Sequence, residues 1–167
     1  RRIKREKIPK KFNKKKTNFI IKTLPFTLTK SQNNVLDEIN SDLASEKRMF
    51  RIIQGDVGSG KTIVSLLVIS NVIESDYQCA LMAPTEILAR QHYELFKKIY
   101  KGTNFKIDFL SGKTENKDRK KILKNLENGQ TNLLIGTHAL FQKIIIFKNL
   151  GLVVIDEQHK FGVKQIL

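Results

Sequence analysis

At 167 residues the chain has the length of one domain, long enough to bury a core, and its 40 % hydrophobic content is ordinary for a globular protein. No apolar run approaches the roughly 20 residues of a membrane span, and a single cysteine excludes a disulfide framework and fits a reducing, cytoplasmic setting. The net charge of +15 points to an anionic partner, but residues 1–16, with ten Lys or Arg and one Glu, carry +9 of it.

Residues 1–22 therefore read as a polar, basic linker or the remnant of an upstream element. Two roles stay open for it, a nucleic-acid-binding arm and a solvated connection, and part of its lysine excess matches the Asn- and Ile-rich composition of an A/T-biased genome. No apolar h-region follows the basic run, and Pro9 and the lysine bias argue against a transit peptide. The chain opens on Arg rather than Met, which suggests a piece of something longer. In "LPFTLTKSQNNVLDEINSDL", Pro25 stops anything upstream, Thr29 is a good N-cap and Gln32 stands at the capping-box position. Val35, Leu36, Ile39 and Leu43 follow at helical spacing. "MFRIIQ" at 49–54 reads as a buried strand and residues 61–75 as a strongly apolar helix. "CALMA", which contains Cys79, is a strand. "TEILARQHYELFKKIY" is a helix with its apolar face on Ile87, Leu88, Tyr93, Leu95, Phe96 and Ile99. "KIDFLS", a helix over 117–128 closed by Gly129, "NLLIGT" and "GLVVID" complete the alternation. Strands alternating with helices of 10–15 residues predict an α/β fold, a parallel sheet covered by helices on both faces.

Between the first strand and its helix lies "GDVGSGKT", which matches G-x-x-x-x-G-K-[ST] from Gly55 through Asp56, Val57, Gly58, Ser59, Gly60 and Lys61 to Thr62. The strand–loop–helix context makes the pattern a phosphate loop. Gly58 and Gly60 permit backbone angles that aim successive N–H groups into one concavity, and the helix N-terminus adds positive potential. Lys61 reaches the β- and γ-phosphates of ATP, and the Thr62 hydroxyl can ligate Mg²⁺. Hydrolysis also needs a carboxylate for the metal and a group that orients water. Asp156 and Glu157 stand at the C-terminal end of an apolar strand, where open parallel sheets bind ligands. Asp156 is the candidate metal ligand and Glu157 the candidate base. No Cys/His set has zinc spacing, and no Ser/His/Asp grouping suggests acyl transfer.

Together "GDVGSGKT", "MAPTEILARQH", "LSGKT", "GTHAL" and "VVIDEQHKFGV" resemble the first RecA-like motor domain of superfamily 2 helicases, most of all the RecG family of branch-migration helicases. That family remodels stalled forks and Holliday junctions in recombination and repair. The likeness runs from about residue 24 to the last residue, which gives a basic linker at 1–23 and motor domain 1 at 24–167. The resemblance implies that Gln32 reads the adenine edge, with Phe26 near the ring; a purely local capping role for Gln32 stays open beside it. It implies DNA-backbone contacts at Thr85, Arg90, Gly112, Lys113, Thr137 and His138, and coupling of hydrolysis to DNA by His159. For Thr85 a helix-cap role, and for His138 a structural role, stay open.

Lys160 replaces the arginine expected in "DEQHRFGV" and loses the guanidinium fork. The resemblance further implies a next motif on a strand between the phosphate-loop strand and the acidic-pair strand, then a second motor domain with an arginine finger. Neither is found in the sequence, so the chain is expected to be truncated before its last central strand. Either that gap closes by strands pairing out of order, or two apolar edges stay open. Alone, such a chain would bind ATP at best and hydrolyse it negligibly, with a separate chain as one possible source of the second domain. Two alternatives stand beside this reading: a fragment of the transcription-repair coupling translocase, and a non-catalytic ATP- or DNA-binding remnant of a split gene. "DEQH" and "APTEILARQH" favour RecG over the former.

Overall fold

The computed structural model describes residues 15–45, 51–55, 59–141 and 145–157, and side chains over 16–41, 62–140 and 145–157. Its centre is a five-stranded sheet formed by β1 (Arg51–Gly55), β2 (Gln78–Ala83), β3 (Ile107–Leu110), β4 (Leu133–Thr137) and β5 (Leu150–Asp156). All neighbours are parallel, in the order β1-β5-β2-β4-β3. The helices are α1 (Lys15–Thr23), α2 (Lys30–Ser45), α3 (Ser59–Glu74), α4 (Glu86–Ile99), α5 (Asn116–Glu127) and the short α6 (His138–Phe141).

Side chains alternate across a strand, and the two cores follow that alternation. Cys79, Leu81 and Ala83 of β2, Leu133 and Ile135 of β4, and Leu152 and Val154 of β5 join one cluster with α1, α2, α3 and α4. Leu110 of β3 and Leu134 of β4 join the other, with Leu126 of α5 and Leu140 of α6. Burial on both faces explains why the strands read as near-continuous apolar runs. Gly151 lies where an added Cβ would come within 2.7 Å of the Tyr77 Cβ, so the strand needs glycine there. Gly129, at φ +84°, follows the α5 C-cap Asn128 and closes that helix as its sequence predicts.

Strand β1 pairs directly with β5 over five positions, from Arg51 opposite Leu152 to Gly55 opposite Asp156. Of the two outcomes expected for the gap, the structure has the closed one, and no strand intervenes between β1 and β5. The linker assignment is corrected from Lys15 onward. There the chain forms α1, with Ile20 fully buried in the larger core, so a boundary at residue 23 would cut through one core. Of the apolar face expected for α4, Phe96 is buried and Leu88, Tyr93, Leu95 and Ile99 pack against the larger core; Ala89 and His92 are buried as well. Ile87 is corrected, since it is 73 % exposed. Val35 of α2 likewise points outward, while Leu36 is buried.

Candidate functional site

Because every strand is parallel, all five C-terminal ends lie on one edge of the sheet, and the sequence-predicted residues collect there. Gly55 ends β1, Thr85 follows β2, the 111–113 turn follows β3, Thr137 ends β4 with His138 opening α6 after it, and Asp156 ends β5. The Gly55–Asp156 register sets the entry to the phosphate loop beside the acidic pair. Asp56, Val57 and Gly58 lie outside the described residues. Ser59, Gly60 and Lys61 form the first turn of α3, with no acidic residue there to cancel the helix's positive end. The Thr62 side chain follows, buried.

Asp156 is wholly buried, and two histidines hold it. His92 Nε2–H donates to its Oδ2 at 3.0 Å, and His138 Nε2–H donates to its backbone carbonyl at 3.2 Å. Both acceptors take only a hydrogen, which assigns the proton to Nε2 in each ring. The His92 ring also meets Phe96 edge-on, with centroids 6.3 Å apart. His92 comes from the buried stripe Ala89–His92–Phe96 of α4, spaced at three and four residues. Glu157 is partly exposed just beyond β5. His159 and Lys160 lie outside the described residues.

Gln32 and Thr29 form a reciprocal capping box. Thr29 N–H donates to Gln32 Oε1 at 2.9 Å, and Gln32 N–H donates to Thr29 Oγ1 at 3.1 Å. The side-chain oxygen of Gln32 is thus engaged in starting α2, and Phe26 is exposed. Thr85 caps α4, its Oγ1 accepting from Leu88 N–H at 3.2 Å. On the outer face of α4, Arg90 lies over the Phe109 ring at 4.6 Å. It borders an open groove of about 600 Å³ with Glu86, Ile87, Gln91, Glu94 and Lys113. Lys113 Nζ, on an exposed side chain, is 4.0 Å from Glu86. Gly112 is open to solvent within a turn closed by Ser111 and Thr114. His138 instead faces inward, toward Asp156.

No group of three or more His, Cys, Asp or Glu side chains forms a metal cage among the described residues. Mg²⁺ held beside substrate phosphates takes only one or two protein oxygens and does not need such a group. Asp156 at a strand end and Thr62 in the first turns of α3 fit such a role. Sequence reasoning named Asp156 as a candidate and gave no role to His92, whose signal lay in its place on the buried stripe of α4.

A family model described as DEAD/DEAH box helicase matches residues 29–166. The chain is 50 % identical over 158 residues to the ATP-dependent DNA helicase RecG of Thermotoga maritima, covering 95 % of this chain and 20 % of that protein. To RecG of Aquifex aeolicus it is 46 % identical over 164 residues, covering 98 % of this chain and 21 % of that one. It thus spans about a fifth of the length of the curated relatives it matches. A solved structure of RecG bound to a three-way DNA junction superposes with a TM-score of 0.83 at 48 % identity, covering 93 % of this chain and 21 % of that chain. The helicase MrfA bound to DNA and AMPPNP, at 19 % identity and a TM-score of 0.69, shares the fold. The chain therefore belongs to the DEAD/DEAH box helicase family, and its sequence is similar to that of RecG helicases.

Proposed function

We propose that the chain is the ATP-binding part of motor domain 1 of a RecG-type DNA helicase, acting on branched or duplex DNA in the cytoplasm. The observation that carries the reading is the register of Gly55, where the expected phosphate loop begins, opposite Asp156 of the expected acidic pair. Identity near 50 % to RecG helicases supports the same reading. No helix among the described residues is long and apolar enough to cross a membrane. The motor unit includes α1, since Ile20 belongs to its core.

In this reading Lys61 and the first N–H groups of α3 bind the phosphates of ATP, and Gln32 meets the adenine edge. Thr62 and Asp156 would hold Mg²⁺, which would supply positive charge beside the phosphates. Glu157 orients the attacking water and accepts its proton. Thr85, Arg90, Gly112, Lys113 and Thr137 contact the DNA backbone, with His138 behind them at the end of β4. His159 links that surface to hydrolysis. A second motor domain, in the same or another chain, would close the cleft.

Binding of labelled Mg-ATP tests the reading. Lys61→Ala removes a charge-assisted contact worth roughly 1.5–3 kcal/mol, so affinity should fall by about one to two decades. Equal affinity in a folded variant would sink the assignment.

A further inference from the structure

We propose that His92 is a positioning residue for the acidic-pair site: from helix α4 it fixes the Asp156 carboxylate in the orientation that receives the metal–nucleotide complex. The inference rests on the Mg-ATP reading above and adds to it the last residue of the "MAPTEILARQH" stretch, to which the resemblance gave no role.

The physical need is specific. A buried carboxylate without a partner is costly, and Asp156 is fully buried. A carboxylate also rotates about its side-chain bonds, so a metal ligand needs a partner to hold it still. His92 supplies one such partner at 3.0 Å and is itself held. Its ring lies edge-on to Phe96 and is buried on α4 between Ala89 and Phe96. Helix α4 is anchored in turn by the Thr85 cap. At the same residue His138 donates to the backbone carbonyl, so β5 ends in a strand terminus gripped at both side chain and main chain. A histidine that merely filled space on α4 would not need its Nε2–H aimed at this carboxylate. The apolar residues of the same stripe already supply packing.

The test uses the whole chain, with Mn²⁺ as the probe metal and free Mn²⁺ read by electron paramagnetic resonance with and without ATP. His92→Met keeps bulk and removes the donor, whereas His92→Gln keeps an N–H donor on a side chain of similar reach. Binding of ATP without metal and urea unfolding are measured on each. His92→Met should lower ATP-dependent Mn²⁺ affinity by about ten- to hundredfold, as loss of a partner behind a metal ligand does. Metal-free ATP binding should stay unchanged, and His92→Gln should recover most of the metal affinity.

A folded His92→Met variant that binds Mn²⁺ with ATP as the wild type does would overturn the positioning role alone. Failure of His92→Met to fold, while His92→Gln folds, would assign the bond to fold stability and also overturn it. If the wild-type chain binds no Mn²⁺ with ATP, the phosphate-loop reading itself falls, and this proposal with it.

Discussion

Tyr100, the residue that ends α4, is 2 % exposed, and its hydroxyl donates to the Leu66 carbonyl of α3 at 2.5 Å. Burial raises its phenol well above the ordinary 10.0, and Cys79 nearby pushes in the same direction. The folded chain therefore holds this proton more tightly than the unfolded chain does. The resulting stability is fully present below the unfolded value, about pH 10, and is lost as pH rises from there through the folded value. Tyr100→Phe should cost roughly 0.5–1.5 kcal/mol at pH 7 for the lost hydrogen bond, and should flatten the alkaline decline. Urea unfolding at pH 7 and about pH 11 measures both, and an equally steep decline in the variant would contradict the assignment. At this scale the sequence was most legible where chemistry dictates residue type. Lys61, Thr62 and Asp156 could be named because phosphate and Mg²⁺ require a cation, a hydroxyl and a carboxylate. His92 was not legible, because judging α4 by residue type drew Ile87 into the core and left the histidine out. Angular position decides the matter: His92 shares the buried stripe with Ala89 and Phe96, and its Nε2 lies 3.0 Å from a buried carboxylate oxygen.

Helix α1 carries the same lesson one level up. "KKTNFIIKT" looks like the end of a basic linker, yet Ile20 is fully buried and Thr17 is 2 % exposed against α3. The Thr17 hydroxyl lies 2.9 Å from Ser70 Oγ and donates to Asn71 Oδ1 at 2.6 Å, and its N–H donates to Glu74 Oε1 at 2.6 Å. Such contacts join residues more than 50 positions apart, beyond the reach of any local pattern. Ile20→Ala should destabilise the chain by about 2–5 kcal/mol, the range for a large aliphatic side chain cut back in a core. A loss below about 0.5 kcal/mol in denaturant unfolding, the scale of a surface substitution, would show that α1 is not docked. The strands themselves were legible from their apolar runs and the turns between them. Their order was not, since the neighbour of a parallel strand is chosen by where the crossover helices pack. The direct β1–β5 pairing is the clearest case: both strands were identified, but local pattern left open whether they would pair with each other or keep open edges.

Over the whole molecule, charge and chemistry are separated. The candidate site occupies the C-terminal edge of the sheet, where the groove beside Arg90 and Lys113 also holds Glu86 and Glu94. These carboxylates leave that groove without a strong positive bias toward a phosphate backbone. The cations are concentrated at the N-terminus instead, with eight Lys or Arg and one Glu in residues 1–14. Lys16 is already committed to the fold, its ammonium donating to Asn104 Oδ1 and lying 4.9 Å from the centre of the Phe105 ring. DNA binding by this chain should therefore be independent of sequence and depend chiefly on residues 1–14. The log of affinity should fall with the log of salt by about 0.9 for each duplex phosphate neutralised. Removing residues 1–14 takes away that charge and leaves Thr17 and Ile20 in place, so the unfolding midpoint serves as the control for an intact fold. A deletion through residue 23 would confuse lost charge with lost core. The shortened chain, titrated with a DNA duplex across a range of salt, should bind more weakly and with a visibly flatter slope. A slope unchanged by the deletion would relocate the contact to the sheet edge, at Arg90 and Lys113.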